Sequence, residues 1–282
     1  MREDARARRD ALLGKIGSRA LIMGILNLTP DSFSDGGRFL TRDAAIAQAK
    51  RMVAEGCDIV DVGGESTRPG AAPVPETEEL ARVEPILAEL ARELDAPLSI
   101  DTYKAAVAAR AAELGAVLVN DVWGLQKDPG MAQTVAEAET AVIVMHNRLE
   151  KDAGVDILSD IRRFFDRSLA LAETAGIPRE RIILDPGVGF GKTSRQNLEA
   201  VARIGELRDY GLPVLIGVSR KSFLGSLLEV GTEGRLIATI AANLAAAAGG
   251  AAIFRVHDVA EHVAALKVFE TIRGAGPTSR TP

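Results

Sequence analysis

Short apolar runs rich in β-branched residues recur along the chain: Leu21–Leu26, Ile59–Val62, Leu98–Ile100, Val117–Val119, Ala141–Met145, Ile182–Leu184, Val214–Val218 and Ala252–Val256. Each is shorter than a typical helix and is bounded by turn residues or charges, so each predicts a strand. Amphipathic stretches lie between them. Ala44–Glu55 places Ala45, Ile46, Ala49 and Val53 on one face, and Glu76–Leu94 does the same with Leu80, Val83, Leu87, Leu90 and Leu94. Thr41 or Asp43, Thr77 and Thr102 stand where helix caps are expected. Eight strands alternating with about eight helices predict a parallel sheet with right-handed crossovers. Eight strands close a (β/α)8 TIM barrel, and an open doubly wound sheet is the alternative.

The 282 residues suit one large domain, since such a barrel takes about 250. The reading is an N-terminal extension over 1–20, a barrel over 21–273 and a flexible polar tail over 274–282. A net charge of −5 argues against a nucleic-acid partner. The lone cysteine, Cys57, excludes an internal disulfide and reads as a small buried apolar group. The charged start, Met1 to Lys15, is no secretory signal, and no run is apolar enough to span a membrane, so the expected location is the cytoplasm. Ala238–Ala252, interrupted by Asn243 and Gly249-Gly250, reads as a packed helix running toward a strand.

All eight runs finish in polar or charged groups. These are Asn27, Asp61, Asp101, Asn120-Asp121, His146-Asn147, Asp185, Ser219-Arg220-Lys221 and Arg255 with His257. A barrel gathers its chemistry at the carboxyl ends of its strands, so the set predicts one convergent pocket; ordinary strand-end turns are the plainer alternative. Asp101, Asn120 and Asp185 form an acidic and amide half suited to a flat heterocycle with N–H donors. Arg220, Lys221, Arg255 and His257 form a basic half, placed after the last two strands where these barrels bind phosphate. A solvated rim is the alternative there. Pro186–Thr193 ends like a P-loop but fails its spacing, because Pro186 stands in place of the first glycine. It reads as a tight loop that leans Phe190 and Lys192 over the pocket. Asp31–Gly37 and Gly63–Gly70 read as mobile lids, or as plain connections. Three histidines and one cysteine leave no zinc cluster of standard spacing, and no Gly-x-Ser-x-Gly elbow is present. His262 reads as a surface or packing residue.

The segments Gly24–Gly37, Asp61–Gly70, Ser99–Thr102, Asn120-Asp121, Asp185–Lys192, Ser219–Gly225 and Arg255–His257, in this order, resemble the dihydropteroate synthase family. The resemblance spans about residue 20 to 270. It implies a transferase that displaces diphosphate from (7,8-dihydropterin-6-yl)methyl diphosphate with the amine of p-aminobenzoate, with Lys221, Asp101 and Asp185 as catalytic groups. By motif position, Asp101, Asn120, Asp185 and Lys221 would hold the pterin, with Met145 beneath the ring. Asn27, Arg255 and His257 would hold the diphosphate, with Mg2+ near Asn27. Thr67 and Arg68 would come from the second lid and Phe33 from the first. Phe190, Pro69 and the stem of Lys221 would flank p-aminobenzoate, and Ser222 would receive its carboxylate. The family's reaction would run dissociatively, and sulfonamides would inhibit it.

One segment departs from the family pattern. Past Met145-His146 the family continues into a Met-, Gly- and Pro-bearing loop, whereas this chain reads Asn147-Arg148-Leu149-Glu150. A pterin-binding methyltransferase would share the Asp-Asn-Asp set but not the Thr67-Arg68 lid or the Ser219–Ser222 segment. A catalytically silent paralogue is a third reading. The resemblance also implies a homodimer, for which Ala238–Ala248 offers an apolar face; the same face would serve barrel packing.

Overall fold

The computed structural model describes residues 1–28, 42–66 and 72–275. Helix α1 (Glu3–Lys15) comes first, followed by β1 (Leu21–Asn27), α2 (Arg42–Ala54), β2 (Ile59–Gly63), α3 (Glu76–Glu93), β3 (Leu98–Asp101), α4 (Ala105–Leu114), β4 (Leu118–Asp121) and α5 (Met131–Ala138). The second half runs β5 (Ala141–Met145), α6 (Ile157–Ala175), β6 (Ile182–Asp185), α7 (Ser194–Ala202), β7 (Leu215–Ile216), α8 (Ser222–Leu228), α9 (Leu236–Gly249), β8 (Ile253–Val256) and α10 (Val259–Ala275). The strands are all parallel in the order β6-β5-β4-β3-β2-β1-β8-β7. A bridge between Leu184 and Val214, with Leu184 N–H donating to Pro213 O at 2.9 Å, joins β6 to β7 and closes the cylinder. This is the TIM barrel, not the open sheet.

The period of two along each strand sorts its side chains between two cores. Leu21, Met23, Ile59, Leu118, Ala141, Ile143, Ile183, Leu215 and Ile253 point into the lumen and pack together. Their neighbours Ile22, Val60, Val119, Val142, Leu184, Ile216 and Phe254 point outward into the layer beneath the helices. Residues 1–20 carry α1, whose Ala5 and Leu12 join the lumen cluster and so cover that end of the barrel. The helix gives little periodic signal because Arg9, charged, is its third buried residue.

Several local expectations shift. Thr77 lies inside α3, which starts at Glu76 with Pro75 at its cap position. Thr102 accepts the Lys104 N–H at 3.2 Å but stands ahead of α4 rather than at its cap. The side-chain caps fall at Asp156 on α6 and at Thr193, which forms a reciprocal pair with Gln196 on α7. On α2, Met52 is buried and Val53 only partly so. Cys57 is buried as expected, its thiol pushed up to about 12 by burial. Of the two readings of His262 the packing one holds: it is fully buried, with Nδ1 at 2.6 Å from Asp258 O. Strand β7 keeps only two of its five expected residues, because Val214 makes an isolated bridge and Gly217-Val218 leave the ladder. Among the described residues no helix is long and apolar enough to cross a membrane.

Candidate active site

The strand alternation that fills the lumen continues to its carboxyl end, where the inward positions turn polar. Two residues beyond Ile59, Leu118, Ile183 and Ile253 stand Asp61, Asn120, Asp185 and Arg255, while Asp101 follows Ser99 and Met145 follows Ile143. Arg255 crosses the mouth: its Nε donates to Asp61 Oδ2 and its Nη2 to Asp101 Oδ2, both at 2.7 Å. Asn120 Nδ2 donates to the same Asp61 oxygen at 3.1 Å. Asp61 Oδ1 and Asp101 Oδ1 are buried with no partner among the described residues, so each offers an acceptor that burial makes costly to leave unmet. Asn27 Oδ1 and Asp101 Oδ2 each lie 3.7 Å from where a Cβ on Gly63 would sit, which brings the end of β1 to the same mouth.

Burial dominates the electrostatics. It pushes Asp101 up to about 7 even with Arg255 opposing, and raises Asp185 although Lys221 stands nearby. Lys221 is drawn down to about 8 by the same desolvation, with the Asp185 charge opposing the fall. Its Nζ donates to Val188 O and lies 4.5 Å from the centroid of the Phe190 ring, so the loop after β6 and the turn after β7 meet at this side chain. Ser219 Oγ accepts the His257 N–H at 3.1 Å and lies 2.9 Å from His257 Nδ1, which ties the end of β8 to that turn. Ser222 is exposed at the first position of α8.

The division into an acidic and a basic half does not hold. Arg255 lies between carboxylates, and Arg220 turns away to Asp258, with Nε to Oδ2 at 3.0 Å. Asp121 follows Asn120 with the opposite parity and caps a turn, accepting the N–H groups of Trp123 and Leu125 at 2.8 and 2.6 Å. Lys192 does not lean over the pocket: it is 1% exposed and folded beneath its own loop. The divergent segment acquires an account, since Asn147 Nδ2 donates to Val122 O at 2.8 Å and Arg148 Nε lies 3.4 Å from Asp160. Phe33, Thr67, Arg68 and Pro69 lie outside the described residues. Asp61 was legible as a strand end, but only its inward parity marks it as part of the hydrogen-bonded chain at the mouth.

Residues 23–257 match the family described as pterin binding enzyme. The dihydropteroate synthase of Clostridium beijerinckii is 47% identical over 261 residues, covering 91% of this chain and 96% of that protein. The Escherichia coli K12 enzyme of the same name is 42% identical over 265 residues, covering 92% and 94%. Among solved structures, dihydropteroate synthase from Clostridium difficile in the presence of pteroic acid superposes with a TM-score of 0.88 at 50% identity, covering 91% of this chain and 98% of that one. The Xanthomonas albilineans enzyme with 4-aminobenzoic acid gives 0.87 at 43%, covering 92% and 94%. The chain is therefore a pterin-binding barrel by class, and it belongs to the dihydropteroate synthase family.

Proposed function

We propose that this chain joins (7,8-dihydropterin-6-yl)methyl diphosphate to p-aminobenzoate, forming 7,8-dihydropteroate and diphosphate, the transfer for which its relatives are named. One observation carries the reading: Asn120, Asp61, Arg255 and Asp101 form one continuous hydrogen-bonded chain across the barrel mouth, with Asp185 and Lys221 as its charged neighbours. Asp101, Asn120 and Asp185 accept and donate to the pterin edge, and Met145 packs beneath it. A guanidinium has five N–H donors, so Arg255, held by two carboxylates, keeps others for the diphosphate alongside His257 and Asn27. Phe190 and the Lys221 stem flank the p-aminobenzoate ring, and Ser222 takes its carboxylate. Phe33, Thr67, Arg68 and Pro69 belong to the p-aminobenzoate subsite, and Thr67 to the pterin diphosphate subsite as well.

Asn27 supplies a neutral oxygen at the phosphate end, and no group of three His, Cys, Asp or Glu side chains fit to hold a metal occurs among the described residues. That donor set fits Mg2+ held chiefly by the diphosphate, because Mg2+ commonly takes few protein ligands beside substrate phosphates. When bound, the ion neutralises charge on the leaving group. The C–O bond to diphosphate breaks first, the dihydropterin ring shares the positive charge left on its methylene carbon, and the Asp101 and Asp185 carboxylates stabilise that cation. The p-aminobenzoate nitrogen then forms the new C–N bond and releases its proton.

A diphosphate-release assay requiring both substrates tests the assignment. Lys221→Ala and Arg255→Ala should each lower turnover by about a thousandfold or more while the circular dichroism spectrum stays native; full activity in either variant refutes the site. Turnover also separates this reading from a silent paralogue.

We further infer a cytoplasmic homodimer. On α9 the inward face carries Thr239, Asn243, Ala246 and Ala247, which leaves Ile237 77% exposed. Val268 and Ile272 of α10 and Leu227 and Leu228 of α8 are exposed as well. A second copy seated on this apolar surface accounts for its exposure. Sedimentation at micromolar concentration should give twice the chain mass, and a monomer there excludes the dimer.

A further inference from the structure

Beneath the loop that follows β6 runs a chain of three side chains, buried at Lys192 and His146 and partly exposed at Asp160, that the transfer reaction does not use. Lys192 Nζ lies 2.7 Å from His146 Nδ1, 2.7 Å from Gly187 O and 3.2 Å from Phe190 O. His146, 1% exposed, places Nε2 at 3.2 Å from Asp160 Oδ2. The proton positions follow from the partners. Burial draws His146 down to about 4, so its ring is neutral and carries one N–H. The Asp160 carboxylate is held below its ordinary range, first by the bond from His146, and can only accept. The ring proton therefore sits on Nε2, and Nδ1 is left as an acceptor facing Lys192. The Lys192 nitrogen then faces three acceptors, and burial draws its pKa well below the ordinary lysine value.

Burying a lysine is unfavourable by desolvation, and an apolar side chain would fill the same space without that cost. What lysine adds is the grip on two carbonyls of one loop. That loop carries Phe190, and its Val188 carbonyl receives Lys221. It also lies directly on the segment after β5. Gly187 and Gly191 have φ of 63° and 56°, and a Cβ on either would strike His146 O or the Arg148 backbone. The loop is thus pressed against 146–148 from outside and tied from within by Lys192.

We propose that Lys192, fixed through His146 by Asp160, is a positioning residue for the p-aminobenzoate subsite, holding the Gly187 and Phe190 carbonyls so that the Phe190 ring stays against Lys221. This rests on the assignment of Phe190 and the Lys221 stem as walls of that subsite. Losing the hydrogen bonds that Lys192 makes to this loop corresponds to about a tenfold effect. Lys192→Met should therefore raise KM for p-aminobenzoate by about tenfold, while KM for the pterin diphosphate stays within about threefold. Phe190→Ala is the control. If it leaves KM for p-aminobenzoate unchanged, the subsite assignment fails; if it raises that KM and a folded Lys192→Met does not, the proposal is overturned. An equal rise in both KM values also overturns it, since that marks general loosening.

Should Lys192→Met fail to fold, Asp160→Ala decides, because Asp160 is on the rim and partly exposed. With three histidines in the chain, imidazole 15N spectra resolve each ring. Asp160→Ala should move His146 away from its Nε2–H form and raise KM for p-aminobenzoate selectively by about threefold. A ring that keeps that form, or one that changes without any change in KM, overturns the proposal.

Discussion

The two ends of the barrel lumen are built by the same strands two residues apart, yet they obey opposite rules. Around Ile59, Leu118, Ile183 and Ile253 the lumen is closed, apolar and covered by α1. One inward step along, at Asp61, Asn120, Asp185 and Arg255, it holds charges whose desolvation is only partly met by mutual pairing. The contrast teaches that stability and chemistry are separated along each strand rather than between strands. The amino end supplies burial, and the carboxyl end carries groups that are costly to bury and retain unmet acceptors for a ligand.

This separation can be broken by substitution. The largest effect on stability is expected at the closed end. Ile183→Ala removes a fully buried side chain and should cost about 3 kcal/mol of unfolding free energy in urea titration, with kcat/KM per folded molecule unchanged. A large loss of kcat/KM in that variant would show that the two ends are coupled. A smaller effect of opposite kind is expected at Asp61. Asp61→Asn keeps the shape and one acceptor for Arg255 but removes the charge. It should raise KM for the pterin diphosphate by about tenfold with the melting temperature nearly native. A variant that loses stability and keeps its KM would place Asp61 with the structural end instead.

Much of this was legible in the sequence because period two is a local property. The apolar runs located the strands to within a residue or so at most ends, and in β1, β3, β4 and β6 the polar residue closing the run is the last of the strand: Asn27, Asp101, Asp121 and Asp185. The same period distinguishes Asn120 from Asp121. Counting inward positions onward from Leu118 puts the amide in the mouth and the carboxylate on the helix side, where it caps a turn. Lys192 and Arg220 were not legible in this way. Both follow glycine-bearing or left-handed turns, Arg220 itself having φ 54°, and after such a turn strand parity no longer says where a side chain points. Their partners, His146 at 46 residues' separation and Asp258 at 38, exist only once the barrel closes. Helix α1 was hidden for a related reason: its lumen contacts come from two small patches, Ala5 and Leu12, flanking a buried arginine.

The pairing of β1 with β8 has a consequence for how the chain reaches this state. Met23 is in register with Arg255, so the first strand cannot complete its ladder until residue 255 has left the ribosome. Loop-closure entropy must be met before that seam rewards it, so such long-range closure is slow and comes late. Until then, the open edges of the first and last strands remain exposed to pairing with other nascent chains.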